Sequence, residues 1–263
     1  AERAGGMMFG CRKEEAVSND LSLVKKLNKD LFSPVFGRMG AVRRKISGFF
    51  PELFCRMRYR SSLYRSCCRI AKYSDLKKDR GAYGEFLVYD ALRREKGRWL
   101  FNLYLPKGEE KTEIDALLLS ERGIFLLESK NFSGRVYGSV GNPEWFHTFE
   151  TSRGIKKQRF FNPIMQNSAH KKALCRLIGR EEVIFPMVVF GKNTDLRVQA
   201  PKEYSKELMT LKRLPSAVHS FEKGALEQEE IERLYGVLEP YTRVDTHQKY
   251  CHRALVAKKN QKN

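Results

Sequence analysis

The stretch from Glu113 to Asn131, E-I-D-A-L-L-L-S-E-R-G-I-F-L-L-E-S-K-N, decides the fold of this chain. It contains two apolar runs, Ile114 to Leu119 and Ile124 to Leu127, and the four residues between them end in a glycine. Glycine supplies the backbone freedom that a tight connection between antiparallel strands needs. The stretch therefore predicts a β-hairpin in which Leu119 pairs with Ile124.

Counting outward from that pair brings polar side chains together at the open end of the hairpin. Asp115 then lies opposite Glu128, and Glu113 lies opposite Lys130. Facing residues of an antiparallel pair, like residues two apart on one strand, point to the same side of a sheet. The four side chains are therefore expected to converge on one face, in a register that a slip of one residue would destroy.

Carboxylates at the end of an apolar hairpin are costly to bury unless something compensates their charge. Mg²⁺ or Mn²⁺ would do so, because these ions prefer oxygen ligands and take only one or two carboxylates from a protein. Lys130 could then hold the attacking water or a phosphate oxygen. The alternative is a surface hairpin with solvated polar ends, since a short D…ExK pattern also arises by chance.

Further motifs flank the hairpin in a defined order. G-A-Y-G-E at residues 81–85 begins a helical pattern upstream, and F-N-P-I-M-Q at residues 161–166 leads into another downstream. With I-D-x-x-L-L, G-I-F-L-L-E-x-K-N and the tryptophan between them, the series resembles the NERD family, the nuclease-related domain of the PD-(D/E)xK nuclease-like folds. The resemblance covers roughly Gly81 to Phe190, and more weakly extends to about Pro240.

This resemblance implies an α/β fold with a mixed central β-sheet flanked by helices, and a site that hydrolyses DNA phosphodiesters. Asp115 and Glu128 would bind Mg²⁺ or Mn²⁺, and Lys130 would orient water or stabilise the developing charge. Glu85 would face the site and join the metal shell, and Gln166 would reach toward the metal or the substrate. From the residues alone, Glu85 is equally a carboxylate favoured by the dipole of a first helical turn, and Gln166 a buried amide.

The composition indicates which class of partner the chain binds. The net charge of +19 and a pI near 9.7 point to a polyanion, either nucleic acid, with DNA favoured over RNA, or an anionic membrane surface. No run approaches the roughly 18 apolar residues of a spanning helix. Six cysteines without C-x-x-C spacing suit free thiols and predict a cytoplasmic location, with an anchor preceding Ala1 left open.

The excess charge is concentrated at the N-terminus, where Ala1 to Arg80 contains nineteen Lys or Arg and eight Asp or Glu. Basic residues interleaved with aromatics can bind nucleic acid, lie on a membrane, or belong to a helical arm whose aromatics pack on the main domain. These three interpretations stay open. The predicted nucleic-acid contacts are Arg43, Arg44, Lys45, Arg56, Arg58 and Arg60 of this arm, and Lys171 and Lys172 of the helix after Gln166.

The predicted organisation is a basic, mostly helical arm (1–75), a NERD core (76–195), a C-terminal extension with a final helix (196–241) and a disordered basic tail (242–263). The leading function is a metal-dependent nuclease. A catalytically inactive nucleic-acid-binding module of the same fold is the alternative, and an adaptor for anionic membrane surfaces is the third. Elements expected around the hairpin are a helix from Ala82 to Arg94, strands at Trp99 to Leu105, 135–137, 144–146 and Glu182 to Phe190, and helices from Asn162 and from Gln228 to Leu238.

Overall fold

The computed structural model describes residues 51–68, 70–108 and 110–242. The chain divides into two compact units, Ala1–Cys55 and Arg56–Asn263. Almost all of the first unit lies outside the described residues, and so do the predicted contacts Arg43, Arg44 and Lys45 and the predicted tail from residue 243 onward. The four-part organisation predicted above stays a prediction.

The second unit contains both helices and strands. Residues 51–60 are helical. The helices that follow are α1 (Leu63–Cys68), α2 (Tyr73–Lys78), α3 (Arg80–Leu92), α4 (Pro163–Ile178), α5 (Leu214–His219) and α6 (Gln228–Leu238), with 3-10 turns at Lys202–Lys206 and Glu239–Thr242. The strands are β1 (Arg98–Lys107), β2 (Glu110–Ser120), β3 (Gly123–Lys130), β4 (Gly134–Ser139), β5 (Glu144–Thr151), β6 (Gly154–Phe161), β7 (Ile184–Phe190), β8 (Thr194–Gln199) and β9 (Leu208–Thr210). No helix in the described ranges is both long and apolar enough to cross a membrane.

The strands form two mixed sheets. The first sheet has the order β1-β2-β3-β7-β9, with antiparallel pairs up to β3 and parallel pairs beyond it. The second sheet has the order β6-β5-β4-β8, in which only β4 and β8 are parallel. The predicted α/β fold is therefore confirmed, with its strands divided between two sheets instead of one central sheet.

The predicted hairpin forms in the predicted register. Leu119 pairs with Ile124, and the ladder continues to Ala116 and Leu127. Gly123 pairs with Ser120 and adopts φ +122°, a conformation that L side chains rarely reach, which explains the glycine at the end of the turn.

The first sheet is buried on both faces: Leu118, Phe125 and Leu127 point to one face and are buried, and the other face packs with α4 and α6 in one core. Leu117, Leu119 and Leu126 are fully buried there, together with Ile231 and Leu234 of α6. Both strands of the hairpin therefore read as nearly continuous apolar runs instead of alternating ones. Within the two strands of the hairpin the charged residues lie toward the open end, and this is where the site lies.

Proline at position 186 is compatible with a strand inside the sheet because of where β9 ends. Pro186 pairs with Leu126 of β3 on one side. On the other side β9 pairs only with Val188 to Phe190, and the Val188 amide donates to the Glu207 carbonyl. Amides two residues apart point the same way, so the missing N–H of Pro186 faces the region beyond the end of β9.

Two elements differ from the sequence-based expectation. The short helix α2, in which Leu76 is fully buried, was not among the predicted elements. Strand β6 was not predicted at all, because its residues are almost all exposed and alternate no apolar side chains with polar ones. Three cationic side chains of this edge strand, Lys156, Lys157 and Arg159, are exposed.

Candidate active site

Asp115 lies at an interruption in the first sheet. The ladder between β1 and β2 pairs the residues on either side, Phe101 with Ala116 and Leu103 with Ile114, and leaves out Asn102 and Asp115. Asn102 has φ +52°, a left-handed conformation that asparagine tolerates better than most residues. Backbone conformations of this kind are often found at functional sites.

The ladder between β2 and β3 also ends before Asp115, at the pair Ala116–Leu127. The predicted pairs beyond it, Asp115 with Glu128 and Glu113 with Lys130, are therefore not formed as backbone pairs. Instead, the Ser129 amide donates to Asp115 Oδ2 at 2.8 Å. The carboxylate takes the place of a backbone acceptor and is held beside β3 by that hydrogen bond.

Glu128 and Lys130 lie at the end of β3. The Lys130 ammonium lies 2.7 Å from Glu128 Oε1 and 3.2 Å from Gln166 Oε1. Glu128 is only 2% exposed. The ion pair of Lys130 thus runs along its own strand, and the carboxylate of Glu113 accepts a hydrogen bond from the Tyr104 hydroxyl at 2.5 Å.

Helix α3 brings Glu85 to this end of the hairpin. The Asp79 side chain accepts hydrogen bonds from Gly81 and Ala82 and so begins the helix at Arg80. Glu85 therefore lies beyond the first turn, which corrects the expectation that the helix dipole alone accounts for it. The hydroxyl of Tyr64, a fully buried residue, lies 2.9 Å from Glu85 Oε2 and fixes the orientation of the carboxylate.

Gly84 explains how α3 comes so close to β3. A Cβ at this position would lie 2.6 Å from Asn131 Cβ and 2.7 Å from Ser129 Oγ, well inside van der Waals contact. The glycine of the G-x-x-G-E motif therefore permits the close packing, and the glutamate after it faces the site as a consequence.

Helix α4 lies beside the site as well and contributes Gln166. Asn162 caps this helix by accepting from the Ile164 amide, and its side-chain amide donates to the carbonyls of Val140 and Asn142. The N-P-x-x-Q motif thus anchors the start of α4 to the turn between β4 and β5. One turn into the helix, Gln166 meets Lys130.

The sequence reasoning missed His170, which lies one turn after Gln166 on the same helix. His170 is 3% exposed, and its Nδ1 atom is 3.5 Å from Glu128 Oε2. The signal that could have found it is spacing, because residues four apart on a helix share a face. Any residue at position 170 would have been expected beside Gln166.

The hairpin, α3 and the start of α4 lie within a segment that is similar to a known family. Residues 80–191 match the nuclease-related domain, NERD. An uncharacterized protein of Bacillus anthracis is 29% identical over 128 residues, which are 48% of this chain and 58% of the relative, so the chain spans little more than half of that protein. No solved structure matches the chain.

The site holds an excess of negative charge. Burial raises the pKa of Asp115 well above its ordinary value, and the nearby carboxylates of Glu128 and Glu85 raise it further, against the smaller effect of Lys130 and the Ser129 amide. Burial alone would lower the pKa of Lys130, but Glu128 and Asp115 outweigh it and the pKa is raised. The lysine is therefore a permanent ammonium among carboxylates that repel one another.

The residues of the site fit a divalent cation with oxygen ligands. Glu128 Oε2 is buried and makes no hydrogen bond to the described residues, so one hard oxygen ligand is left with unused lone pairs. Within the described ranges no group of three or more His, Cys, Asp or Glu side chains forms a ready metal cage. Mg²⁺ and Mn²⁺ suit such a site, because they use few protein ligands and complete their shell with water and phosphate.

The basic residues predicted to contact nucleic acid lie in different surroundings. Arg56, Arg60 and Lys172 are exposed. Arg58 Nε lies 2.7 Å from Asp90 Oδ1, and Lys171 Nζ lies 3.3 Å from Glu181 Oε1. These last two side chains already have carboxylate partners within the fold, and a role of either in nucleic-acid binding stays a prediction.

Of the aromatic residues in the predicted arm, Tyr59 and Tyr64 are fully buried and pack against Phe86 of α3. Tyr64 also packs edge-on against Phe101 of β1. These two rings are therefore part of the core and do not offer free faces for stacking. For these two residues, the interpretation that fits is that the aromatics of the arm pack on the main domain.

Proposed function

We propose that this protein is a metal-dependent nuclease that hydrolyses phosphodiester bonds of DNA. The observation that carries the proposal is the convergence of Asp115, Glu128, Lys130 and Gln166 at one end of a buried sheet. A NERD domain supports a nuclease-related function in general terms. DNA as the substrate and hydrolysis as the reaction are inferences from the charge of the chain and from this geometry.

Each side chain has a role that its surroundings favour. Asp115 and Glu128 would hold Mg²⁺ or Mn²⁺, with Glu85 as a further oxygen ligand reached directly or through water. When bound, the cation would lower the pKa of a water and neutralise charge on the phosphate. Lys130, held by Gln166 and Glu128, points its ammonium at the same region and can orient a water or stabilise the developing charge on phosphate oxygens.

The decisive experiment measures cleavage and metal binding on the same proteins. Wild type should nick plasmid DNA in Mn²⁺ or Mg²⁺ and stop in EDTA, and it should bind the metal in calorimetry. Glu128→Gln keeps the shape of the side chain but removes a charged ligand, so both metal binding and cleavage should be lost. Glu95→Gln is the matched control, because this mostly buried glutamate pairs with His219 and Arg122 away from the site.

The other hypotheses are distinguished by the outcome. A wild type that binds DNA but takes up no metal, even with DNA present, would overturn the nuclease and leave a catalytically inactive nucleic-acid-binding module. Equal cleavage by wild type and Glu128→Gln would mean that the site lies elsewhere. We also propose a cytoplasmic location, which the free thiols of Cys67, Cys68 and Cys175 support.

A further inference from the structure

The second sheet has one face in the core and one face in solvent. Val136, Trp145, Phe160 and Leu196 point inward and pack with Phe190 of the first sheet in one apolar cluster. Because side chains alternate along a strand, the residues between them point outward. This side of the sheet is the outer face, and it carries Arg135, Tyr137, Phe146, Lys157, Arg159 and Arg197.

Four of these residues form a single row across all four strands. Arg159 of β6 pairs with Phe146 of β5, Phe146 pairs with Tyr137 of β4, and Tyr137 pairs with Arg197 of β8. Strands are about 4.8 Å apart, so the row is about 14 Å long. Two aromatic rings thus lie side by side with an arginine at each end.

Tyr137 and the two arginines of the row are exposed to solvent, and Phe146 is half-buried. Tyr137 is 39% exposed, and the side chains of Arg159 and Arg197 are 56% and 64% exposed. Lys157 Nζ lies 4.1 Å from the centre of the Phe146 ring, so a cation already packs on this ring, and a base that stacks there would take its place. Exposed aromatics on a sheet with flanking cations are the elements of a stacking platform for bases.

The outer face is not strongly charged overall, because carboxylates lie among the arginines. Arg159 is 3.4 Å from Glu144, and Arg197 is 3.1 Å from Asp195, which is also 3.8 Å from Arg135. Exposed pairs of this kind contribute little, and a guanidinium in one of them keeps donors free for phosphate. A surface with two rings and modest net charge favours unstacked bases over a duplex, whose bases are not available for stacking.

The outer face is joined to the active site by two short segments of chain. Strand β4 begins four residues after Lys130, and β6 ends at Phe161, directly before the cap of α4 and Gln166. Phe161, at the site end of β6, is 48% exposed. Both strands that connect to the site therefore contribute to the row of rings and arginines.

We propose that the outer face of the second sheet binds single-stranded nucleic acid. Bases stack on Tyr137 and Phe146, and phosphates contact Arg159 and Arg197. This inference rests on the proposed function for its biological meaning, since it identifies the strand that the site would receive. The binding itself does not require cleavage.

The test uses the full chain in EDTA, so that no metal-dependent cleavage occurs, and follows the anisotropy of labelled oligothymidine and oligouridine about 15 nucleotides long. The double variant Tyr137→Leu/Phe146→Leu keeps apolar volume but removes both rings. It should bind each oligonucleotide about tenfold more weakly for each ring that stacks a base. Binding of a blunt duplex of similar length should change less.

The double variant Arg159→Gln/Arg197→Gln tests the phosphate contacts. It should reduce the slope of log affinity against log salt by about 1.4, since each contact to a single strand contributes about 0.7. The matched control is Arg180→Gln/Arg233→Gln, which removes two exposed arginines that also pair with glutamates but lie outside the second sheet. The control should keep the wild-type affinity and differ little in slope.

The outcomes separate this inference from the proposed function. Wild-type affinity in the variant without rings would overturn the platform and leave the nuclease untouched, because cleavage is tested with Glu128→Gln. Loss of affinity in that variant, with thermal stability retained and no cleavage by any protein in Mn²⁺, would support the platform and overturn the nuclease. Equal losses in the ring, arginine and control variants would show that general charge or stability accounts for binding, and would overturn the platform.

Discussion

The two sheets of this protein use polar residues in opposite ways. In the first sheet, charge is confined to one buried end, where Asp115, Glu128 and Lys130 meet between α3 and α4. In the second sheet, charged and aromatic residues form a row across the face that is turned toward solvent. Electrostatic interactions are stronger where water is excluded, whereas a surface that captures a long polymer must be accessible. This difference supports the two proposals made above, namely chemistry at the first sheet and capture of nucleic acid by the second.

The largest effect is expected at Lys130. If chemistry belongs to the first sheet alone, Lys130→Ala should lower metal-dependent cleavage by about a hundredfold or more, because it removes a preorganised cation from the site. Affinity for single-stranded oligonucleotides in EDTA should stay close to wild type. Gel-based rates under saturating DNA and anisotropy in EDTA measure the two quantities separately.

Two further variants show whether a loss of cleavage comes from the missing cation or from a loss of stability. Lys130→Ala leaves Glu128 buried without its cation, so thermal unfolding has to be followed alongside cleavage. Lys130→Arg keeps the charge and should keep part of the stability, but it changes the position of the cation. Lys96→Ala, at an exposed lysine between α3 and β1, is the control and should change neither rate nor stability. A Lys130→Ala protein that cleaves like wild type would remove the lysine from the mechanism.

The sequence predicted the first sheet better than the second, and the reason is physical. The β2–β3 hairpin has a local turn and apolar strands, so its register could be counted from Leu119 and Ile124 outward. The strand β6 has neither signal, because its Lys, Gln and Arg side chains are exposed and it is held by pairing with β5. Its assignment depends on a partner strand, which local reasoning does not include.

The same distinction holds within the site. Asp115, Glu128 and Lys130 belong to one hairpin and were predicted together, whereas His170 reaches Glu128 from a helix more than forty residues later. Glu113 was predicted to lie opposite Lys130, but Lys130 contacts Glu128 on its own strand. The ladder between β1 and β2 skips Asn102 and Asp115, and nothing in the local pattern predicts such an interruption.

The next effect should appear when the packing that positions Glu85 is disturbed. Gly84→Ala places a methyl group against Asn131 and Ser129, and we expect it to lower the free energy of unfolding by about 1–3 kcal/mol. Gly236→Ala on α6 is the matched change, because nothing lies within 4 Å of a Cβ there. It should stabilise the protein by up to about 1 kcal/mol, since alanine favours a helix over glycine.

Chemical denaturation measures both values on the same day and in the same buffer. Gly84→Ala should also reduce cleavage by more than its loss of stability explains, because α3 must shift and Glu85 shifts with it. Equal stability of the two alanine variants would contradict the close packing of α3 on β3. It would also place Glu85 farther from Asp115 than the structure does.

The smallest expected effect is on the stability of the fold, and it depends on the protonation of Asp115. Burial and neighbouring carboxylates raise the pKa of Asp115 in the folded protein, so the unfolded chain releases this proton first as the pH rises. Below the ordinary value of 3.8 the group is protonated in both states and has no effect. Between 3.8 and the raised folded value, the folded protein loses stability relative to the unfolded chain, and above that value the loss is constant.

Asp115→Asn should therefore be more stable than wild type at neutral pH in EDTA, because the amide can still accept from Ser129 without carrying charge. For a domain of this size, each 1 kcal/mol of relieved repulsion raises the melting temperature by about 2–4 °C. The difference between the two proteins should disappear as the pH falls toward 3.8, and Mg²⁺ should raise the melting temperature of wild type alone. If the variant melts below wild type in EDTA at every pH, Asp115 stabilises the fold. The charged end of the first sheet would then not be a destabilised site that a cation relieves.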